Sequence, residues 1–271
     1  MSLFTIDESK CNRCGACADE CVTKIIEYNK GELPKQSNKE GSMCYGCGHC
    51  VAVCPTGSFK HRDMSPSQCI TIVSNLLPSI DATNTLLKSR RSIRNFLDQL
   101  VPRDTLKEIL ETASYAPSGL NGQPVKWIVI DGRPEVQRFA KMTVDYLRYT
   151  ITDDPAIAKR ANSEVWVSNW DRGMDSITWG APHMVIAYAE GSRWEEECKI
   201  ALTFLDLAAY SHGLGACWAG LFNFAANAWA PMREALGVPA GHNAFGAMML
   251  GYPKNTFQRI PVRLEPRVIW K

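Results

Sequence analysis

The chain has 271 residues and a formal net charge of +2, and 45% of its residues are hydrophobic. This length suits two domains better than one, and the small net charge gives no electrostatic reason to expect nucleic acid as the main partner. No apolar run approaches the roughly 18 residues that a membrane span requires, and neither end carries an evident targeting signal. The sequence therefore predicts a soluble protein of two domains, with no nucleic-acid or membrane partner.

Two cysteine runs with the same spacing lie near the start of the chain. In both runs the steps are three, three and four residues, and Pro55 follows the second run. Three thiolates at steps of three can surround one corner of an iron-sulfur cluster while the fourth reaches away, which is the C-x2-C-x2-C-x3-C pattern of bacterial ferredoxins. The two runs are Cys11, Cys14, Cys17 and Cys21, and Cys44, Cys47, Cys50 and Cys54.

In that pattern the fourth cysteine of each run ligates the cluster of the other run. The sequence thus predicts two [4Fe-4S] clusters. A structural zinc site would use two CxxC pairs, and a disulfide framework would need a secreted chain, so both alternatives fit two identical quartets less well. Gly15, Gly46 and Gly48 allow the backbone to approach the cluster sulfurs. The predicted ligand sets are Cys11, Cys14, Cys17 and Cys54 for one cluster, and Cys44, Cys47, Cys50 and Cys21 for the other.

The ferredoxin-like domain is predicted to span residues 1–62, with short strands at 3–6 and 24–28 and a polar loop at 28–43. Residues 63–80 form the predicted connector, whose apolar patch at 70–73 is expected to pack on a domain surface. The three other cysteines lack metal-binding spacing, and together with oxygen-sensitive clusters they favour a reducing, cytoplasmic compartment. These three are Cys69, Cys198 and Cys217.

The remainder, residues 81–271, mixes helical and strand patterns, so the fold class is α+β. The helix at 195–212 is apolar on most sides, which indicates a position in the middle of the domain or at a subunit interface. Pro261 and Pro266 predict an extended tail from residue 257 onward. The other predicted helices are at 104–116, 134–147 and 227–236, and the predicted strands are at 125–131, 183–189, 216–222 and 244–251.

Polar groups cluster at three places in this second part. Residues 88–94 contain four cations and two hydroxyls, which can clamp a phosphate. Residues 116–124 form a turn whose amide groups can bond a flat heterocycle. Arg259 and Arg263 can contribute further positive charge to the same phosphate. The three glycines Gly213, Gly215 and Gly220 do not fit the GxGxxG spacing of a dinucleotide loop.

The motifs RRSIRNF, APSGLNGQP, GLGACWAGLF, and GYP with RIPVR, in this order, resemble the FMN-dependent nitroreductase family along residues 80–271. The whole chain resembles a ferredoxin-nitroreductase fusion. The resemblance implies a central, mostly antiparallel sheet flanked by helices, a homodimer, and bound FMN. It also implies roles for single residues. Arg90, Arg91 and Ser92 would hold the FMN phosphate, with Arg94 nearer the ribityl chain and pyrimidine edge; Pro117, Ser118, Asn121 and Gln123 would form a turn over the flavin from the partner subunit; Gly220 and Leu221 would approach N5; and Arg259 or Arg263 would bind phosphate.

Together these features predict an electron relay from the clusters to FMN and on to a small organic acceptor. The resemblance implies a nitroaromatic, a quinone or an activated alkene as acceptor. Reduced ferredoxin is the expected donor, and NAD(P)H is an alternative donor. Two other functions stay open at this point: an electron-transfer module that serves a partner protein, and a different flavin reaction such as reductive dehalogenation or flavin fragmentation. The tryptophan-rich segment at 155–180 is interpreted either as a lid over the substrate or as core packing.

Overall fold

The computed structural model describes residues 2–38 and 43–271. Met1, the first residue of the predicted ferredoxin-like domain, and residues 39–42, which include Gly41 of the predicted polar loop, lie outside the described residues. The chain divides into two compact units. One comprises Met1–Leu77 and Gly119–Gly122, and the other comprises Pro78–Ser118 and Gln123–Lys271.

The first unit consists of short strands and single-turn helices. Two antiparallel pairs, β1 with β4 and β2 with β3, form its sheets. The strands predicted at 3–6 and 24–28 are present in shortened form, while β3 lies within the stretch predicted as a loop. Phe4 and Phe59 stack with ring centroids 4.6 Å apart and anchor a small core. The elements are β1 (Phe4–Ile6), α1 (Ala16–Asp19), β2 (Ile26–Glu27), β3 (Lys35–Gln36), α2 (His49–Ala52) and β4 (Phe59–His61).

The two halves of this unit repeat each other at an offset of 33 residues, so that Cys11 corresponds to Cys44. The backbone has similar conformations at three pairs of corresponding positions, where positive φ angles recur even when the side chains differ. At Gly15 the absence of a side chain is also needed for packing, since a Cβ there would lie 2.4 Å from the Tyr28 ring. The corresponding pairs are Arg13 (φ 56°) and Gly46 (φ 61°), Gly15 (φ 80°) and Gly48 (φ 75°), and Lys24 (φ 53°) and Gly57 (φ 63°).

The connector contains two 3-10 turns, at Pro66–Gln68 and Ser74–Leu76. Its apolar side chains face solvent: Ile70 is 78% exposed and Ile72 is 77% exposed. The expectation that this patch packs on a domain surface is therefore wrong for the single chain.

The second unit is built on a four-stranded sheet in the order β5-β6-β8-β7, and every neighbouring pair is antiparallel. The fold is α+β, as predicted. The strands predicted at 125–131, 183–189 and 244–251 agree with the structure to within two residues. The strand predicted at 216–222 is wrong in its second half, because it ends at Trp218. The strands are β5 (Lys126–Asp131), β6 (His183–Glu190), β7 (Gly215–Trp218) and β8 (His242–Gly251).

Residues 220–222 begin a helix instead, whose buried residues Phe222, Ala225 and Ala226 recur at helical spacing. Short apolar runs cannot be assigned to strand or helix from periodicity alone. The helix predicted at 227–236 is two helices that meet at Trp229, and three other helices, α3, α6 and α7, were not predicted. The helices are α3 (Ile80–Ser89), α4 (Arg103–Ser114), α5 (Arg133–Asp153), α6 (Pro155–Ala161), α7 (Ser163–Asp171), α8 (Glu195–Ser211), α9 (Gly220–Ala228) and α10 (Ala230–Leu236).

Helices cover both faces of the sheet. Along β6, Met184 and Ile186 belong to the core formed with α5, α9 and α10, while Val185 belongs to the core formed with α4 and α8. This alternation follows from the two-residue period of a strand. On α8, Leu202 and Leu205 are fully buried, which agrees with the predicted place of this helix inside the domain.

The tryptophan-rich segment forms α6 and α7. Trp166 donates its indole N–H to the carbonyl of Ala161 at 2.9 Å, and Trp166 and Trp170 pack against a core that includes Val144 and Leu147. Core packing is thus the role that the structure describes for these two tryptophans. In the described part of the chain, none of the helices is both long enough and apolar enough to span a membrane.

Candidate functional site

The first unit contains two cavities that are each lined by four cysteines. Each cavity takes three cysteines from one run and the fourth from the other run, and Phe59 lines both. This is the crossed arrangement predicted from the spacing. Four thiolates are the donor set that a [4Fe-4S] cluster requires, so the residues fit two such clusters. One cavity is lined by Cys21, Cys44, Cys47 and Cys50, and the other by Cys11, Cys14, Cys17 and Cys54.

Hydroxyl and amide groups surround several of the thiols. Burial alone would raise the pKa of Cys54, but hydrogen bonds from the Ser58 hydroxyl and the Phe59 amide lower it to about 7. Burial raises the pKa of Cys17 and of Cys50 to about 11. Because a ligating thiol must lose its proton, burial of Cys17 and Cys50 opposes cluster assembly, while the hydrogen bonds to Cys54 favour its thiolate form.

In the second unit, the RRSIRNF segment lies between β7 and the chain that follows β8. The Ile93 amide donates to the Ala216 carbonyl at 3.0 Å, and the Leu97 amide donates to the Tyr252 carbonyl at 2.9 Å. Glycine makes this close packing possible, since a Cβ at Gly215 would lie 2.2 Å from Ile93 and one at Gly251 would lie 2.6 Å from Pro182. Two motifs that are far apart in the sequence, RRSIRNF and GYP, are therefore neighbours.

Arg90 forms an ion pair with Asp206 on α8, and its Nη1 lies 3.1 Å from Oδ2. Asp206 is only 5% exposed, and among the described residues no hydrogen-bond partner faces its Oδ1. Burial raises the pKa of Asp206 to about 6, although Arg90 opposes the rise. Arg90 is thereby held at the surface of the domain by a buried carboxylate.

Ser92 and Arg94 lie close to the same place, beside the buried thiol of Cys217. Burial raises the pKa of Cys217, and the nearby Arg94, Ser92 and Arg90 oppose part of that rise. The structure thus brings together three of the four residues predicted in the first motif, two guanidinium groups and one hydroxyl. This is a suitable donor set for a phosphate.

Arg91 serves a different purpose. Its Nη2 donates to the carbonyl of Lys88 at 2.6 Å and its Nε donates to that of Ser89 at 3.4 Å, so it caps the C-terminal end of α3. Arg259 and Arg263 are exposed in the tail beyond β8, and their assignment to the phosphate stays a prediction.

The predicted flavin-covering turn is divided between the two units. Pro117, Ser118 and Gln123 line a cavity of about 200 Å³ together with Trp127 and Glu197. The Gln123 amide donates to the Ser118 hydroxyl at 3.0 Å. Asn121, which has a φ of 54°, belongs to the segment Gly119–Gly122 that groups with the first unit. It is not among the residues that line this cavity.

Gly220 and Leu221 lie at the start of α9, where the chain leaves β7. A Cβ on Gly220 would meet no atom within 4 Å, so there is open space beside the backbone. The first N–H groups of a helix have no partner within the helix and can donate to a ligand. Together with the guanidinium groups near β7, this open, donor-rich segment fits the requirements of FMN.

The sequence reasoning missed Asp206 as a site residue. Its signal was present, because Asp206 falls at helical spacing from Leu202 and Ala209 on an otherwise apolar, buried face. A single carboxylate on such a face is costly unless it is paired. The partner cannot be identified before the helix is placed beside Arg90.

Sequence comparison decides the family. The profile of the nitroreductase family matches residues 87–252, which is more than half of the chain. The chain belongs to the nitroreductase family. The profile of a 4Fe-4S dicluster domain matches residues 10–58. The protein is therefore an FMN-dependent oxidoreductase of the nitroreductase family that carries a ferredoxin domain with two [4Fe-4S] clusters.

Individual proteins resemble parts of the chain. A protein of Methanothermobacter thermautotrophicus named "Putative NADH dehydrogenase/NAD(P)H nitroreductase" is 27% identical over 179 residues, covering 62% of this chain and 75% of that protein. A 4-nitrobenzoate reductase of a Nocardioides species is 40% identical over 73 residues, or 27% of this chain and 28% of that protein. The FMN-bound nitroreductase of Bacteroides fragilis superimposes with a TM-score of 0.56 at 25% identity, covering 69% of this chain and 97% of that structure.

Proposed function

We propose that electrons enter this enzyme through the two clusters of the first unit and leave it on a small organic acceptor bound in the nitroreductase domain. When bound, FMN supplies hydride transfer from N5 and can exchange electrons singly or in pairs. The observation that carries the proposal is the presence of two four-cysteine cavities in the same chain as a nitroreductase domain. An enzyme reduced only by direct contact with NAD(P)H would have no use for such clusters.

The residues of the second unit would hold the cofactor and leave room for the acceptor. Arg90 and Ser92 would bind the phosphate, and Arg94 would supply positive charge toward the pyrimidine edge, where it would favour negative charge on the ring. The amides of Gly220 and Leu221 would donate to the flavin near N5. The proposed acceptor is a nitroaromatic, a quinone or an activated alkene, and similarity to the 4-nitrobenzoate reductase of the Nocardioides species supports the first of these.

The proposed donor is a low-potential protein such as reduced ferredoxin, with NAD(P)H as the alternative. The eleven cysteines are free in the structure, which supports a reducing, cytoplasmic location. The limits proposed for the domains are residues 1–62, 63–80 and 81–271.

An anaerobic acceptor screen tests the function. We expect the protein, reduced by ferredoxin, to be reoxidised through many turnovers by at least one nitroaromatic, quinone or activated alkene, with a two-electron-reduced product. Absorbance of the protein and chromatography of the products measure this. Reoxidation by a partner protein but by no small molecule would make the chain an electron-transfer module. Release of halide, or breakdown of FMN itself, would assign a different flavin reaction.

We also propose a homodimer. On and beside α8, Phe204 is 37% exposed and Trp218 is 42% exposed, and in the tail Val262 is 97% exposed and Trp270 is 90% exposed. Apolar groups in such number on one chain indicate a surface that another chain covers. Sedimentation equilibrium at micromolar concentration should give twice the chain mass of 30.2 kDa, and removal of residues 262–271 should weaken the association. A monomer that retains FMN would contradict the proposal.

A further inference from the structure

One of the positions at which the two repeats of the first unit differ lies close to a cluster cavity. By the 33-residue offset, His61 in the second repeat corresponds to Tyr28 in the first. The Tyr28 hydroxyl donates to the backbone carbonyl of Arg13. The Nε2 atom of His61 instead lies 3.5 Å from the sulfur of Cys44. The side chain at this position thus bonds to a backbone carbonyl in the first repeat and faces a cluster ligand in the second.

The tautomer of the neutral His61 ring follows from the hydrogen-bond partner of its Nδ1 atom. The backbone amide of Asp63 donates to Nδ1 at 3.2 Å, and an amide can only donate, so Nδ1 provides its lone pair. The Asp63 carboxylate is 3.7 Å from Nδ1, which is too long for a hydrogen bond. The neutral ring therefore carries its proton on Nε2, the atom that faces Cys44.

The ring is also held in place. His61 is 6% exposed, it lies at the end of β4 opposite Phe4 of β1, and it lines the cavity of Cys21, Cys44, Cys47 and Cys50. A buried donor that is held in place keeps its orientation when the cluster gains an electron. It can therefore stabilise the added negative charge and so change the reduction potential.

We propose that His61 donates a hydrogen bond from Nε2 to the Cys44 thiolate and thereby raises the reduction potential of that cluster alone. Hydrogen bonds to the sulfurs set cluster potentials, and a donor stabilises the reduced cluster more than the oxidised one because the reduced cluster is more negative. The inference rests on the two clusters of the ferredoxin domain and not on the proposed relay or acceptor.

The other cluster has its own side-chain donor at a position that is not equivalent. The Ser58 hydroxyl lies 3.3 Å from the sulfur of Cys54, while the residue that corresponds to Ser58 is Ile25, whose side chain has no donor. Threonine hydroxyls near the fourth cysteines occur in both repeats and do not distinguish the clusters. These are Thr23, 3.5 Å from Cys21, and Thr56, 3.7 Å from Cys54. His61 and Ser58 therefore give each cluster its own side-chain hydrogen-bond donor.

The test is an anaerobic redox titration of the full-length, cluster-loaded protein, followed by electron paramagnetic resonance. We expect His61→Phe, which keeps a ring of similar size, to lower one reduction step, and Ser58→Ala to lower the other. A tenfold fall in the ratio of reduced to oxidised cluster at a fixed potential corresponds to about 59 mV for one electron. His61→Gln, whose amide can donate, should fall between the parent and His61→Phe. If the parent shows a single wave, His61→Phe should split it in two.

Iron and sulfide contents establish that both clusters are present in each variant. The proposal is overturned if His61→Phe leaves both steps unchanged, if it moves both equally, or if Ser58→Ala moves the same step as His61→Phe. Should His61→Phe lose a cluster, His61→Gln decides the matter through the iron–thiolate stretching bands in the resonance Raman spectrum, which should shift only if a hydrogen bond to the thiolate is altered. Because neither measurement uses an acceptor or a donor protein, failure here is distinct from failure of the proposed function.

Discussion

Replacing Cys44 and Cys47 by alanine should abolish the reduction of FMN by reduced ferredoxin. The two residues are half of the thiols that line one cavity, and a cluster left with two ligands does not persist. Loss of that cluster should also disturb the other, because the two are held by the same pair of cysteine runs. After photoreduction, the double variant should still reduce a quinone or a nitroaromatic, since the second unit is unchanged.

The measurement is rapid mixing with reduced ferredoxin under anaerobic conditions, with flavin bleaching as the signal and FMN occupancy matched beforehand. Cys69→Ala is a suitable control. Cys69 is a half-buried thiol of the same unit but lines neither cluster cavity, so its loss should leave the rate unchanged. If ferredoxin bleaches the flavin of the double variant as fast as that of the parent, the clusters are not the entry point for electrons.

Replacing Arg90 by glutamate should expel FMN while the iron content stays the same. The new carboxylate would face the phosphate and would also lie beside Asp206, which pairs with Arg90 at 3.1 Å. Loss of one charge-assisted hydrogen bond costs about 1.5 to 3 kcal/mol, or roughly a tenfold to hundredfold weaker affinity, and repulsion adds to this. The molar ratio of flavin to iron after gel filtration measures the result.

The neighbouring substitution Arg91→Glu provides the matched control. It makes the same change of charge one residue away, but Arg91 caps the end of α3 through the carbonyls of Lys88 and Ser89. Arg91→Glu should therefore lower thermal stability slightly and retain most of the FMN. Equal loss of FMN from both variants would show that general charge near this segment, and not the position of Arg90, controls binding. Circular dichroism verifies that both variants are folded.

The crossed grouping of the cysteines around two cavities was predictable from their spacing, while their assignment as cluster ligands stays a prediction. The strands of the main sheet were predictable because β6 and β8 are continuous apolar runs. α3 was not predicted although its sequence is amphipathic, and none of its residues is buried in the single chain. The segment after Trp218 was misassigned because a short apolar run suits a strand and a buried helix equally well.

The flavin-site residues remain a prediction from the order of four motifs, and the structure adds contacts that this order cannot provide. Asp206 acquires its role only when α8 lies beside the first motif. At the end of α3, the side chain of Arg90 pairs with Asp206, whereas that of Arg91 bonds to backbone carbonyls. The sequence does not show which direction each side chain takes. In the same way, His61 and Tyr28 occupy corresponding positions in the sequence, yet only the folded chain shows that one faces a thiolate and the other a carbonyl.

The crossed cysteines have a consequence for how the first unit holds together. Neither repeat contains a complete set of four ligands for its own cavity, since each takes its fourth from the other repeat. The clusters thus act as two inorganic cross-links between the halves, and each closes a loop of the chain that would otherwise cost entropy to form. Release of one cluster frees three cysteines of one run and one cysteine of the other at once. Damage by oxygen should therefore open the whole unit as a single event, with no stable half-loaded form.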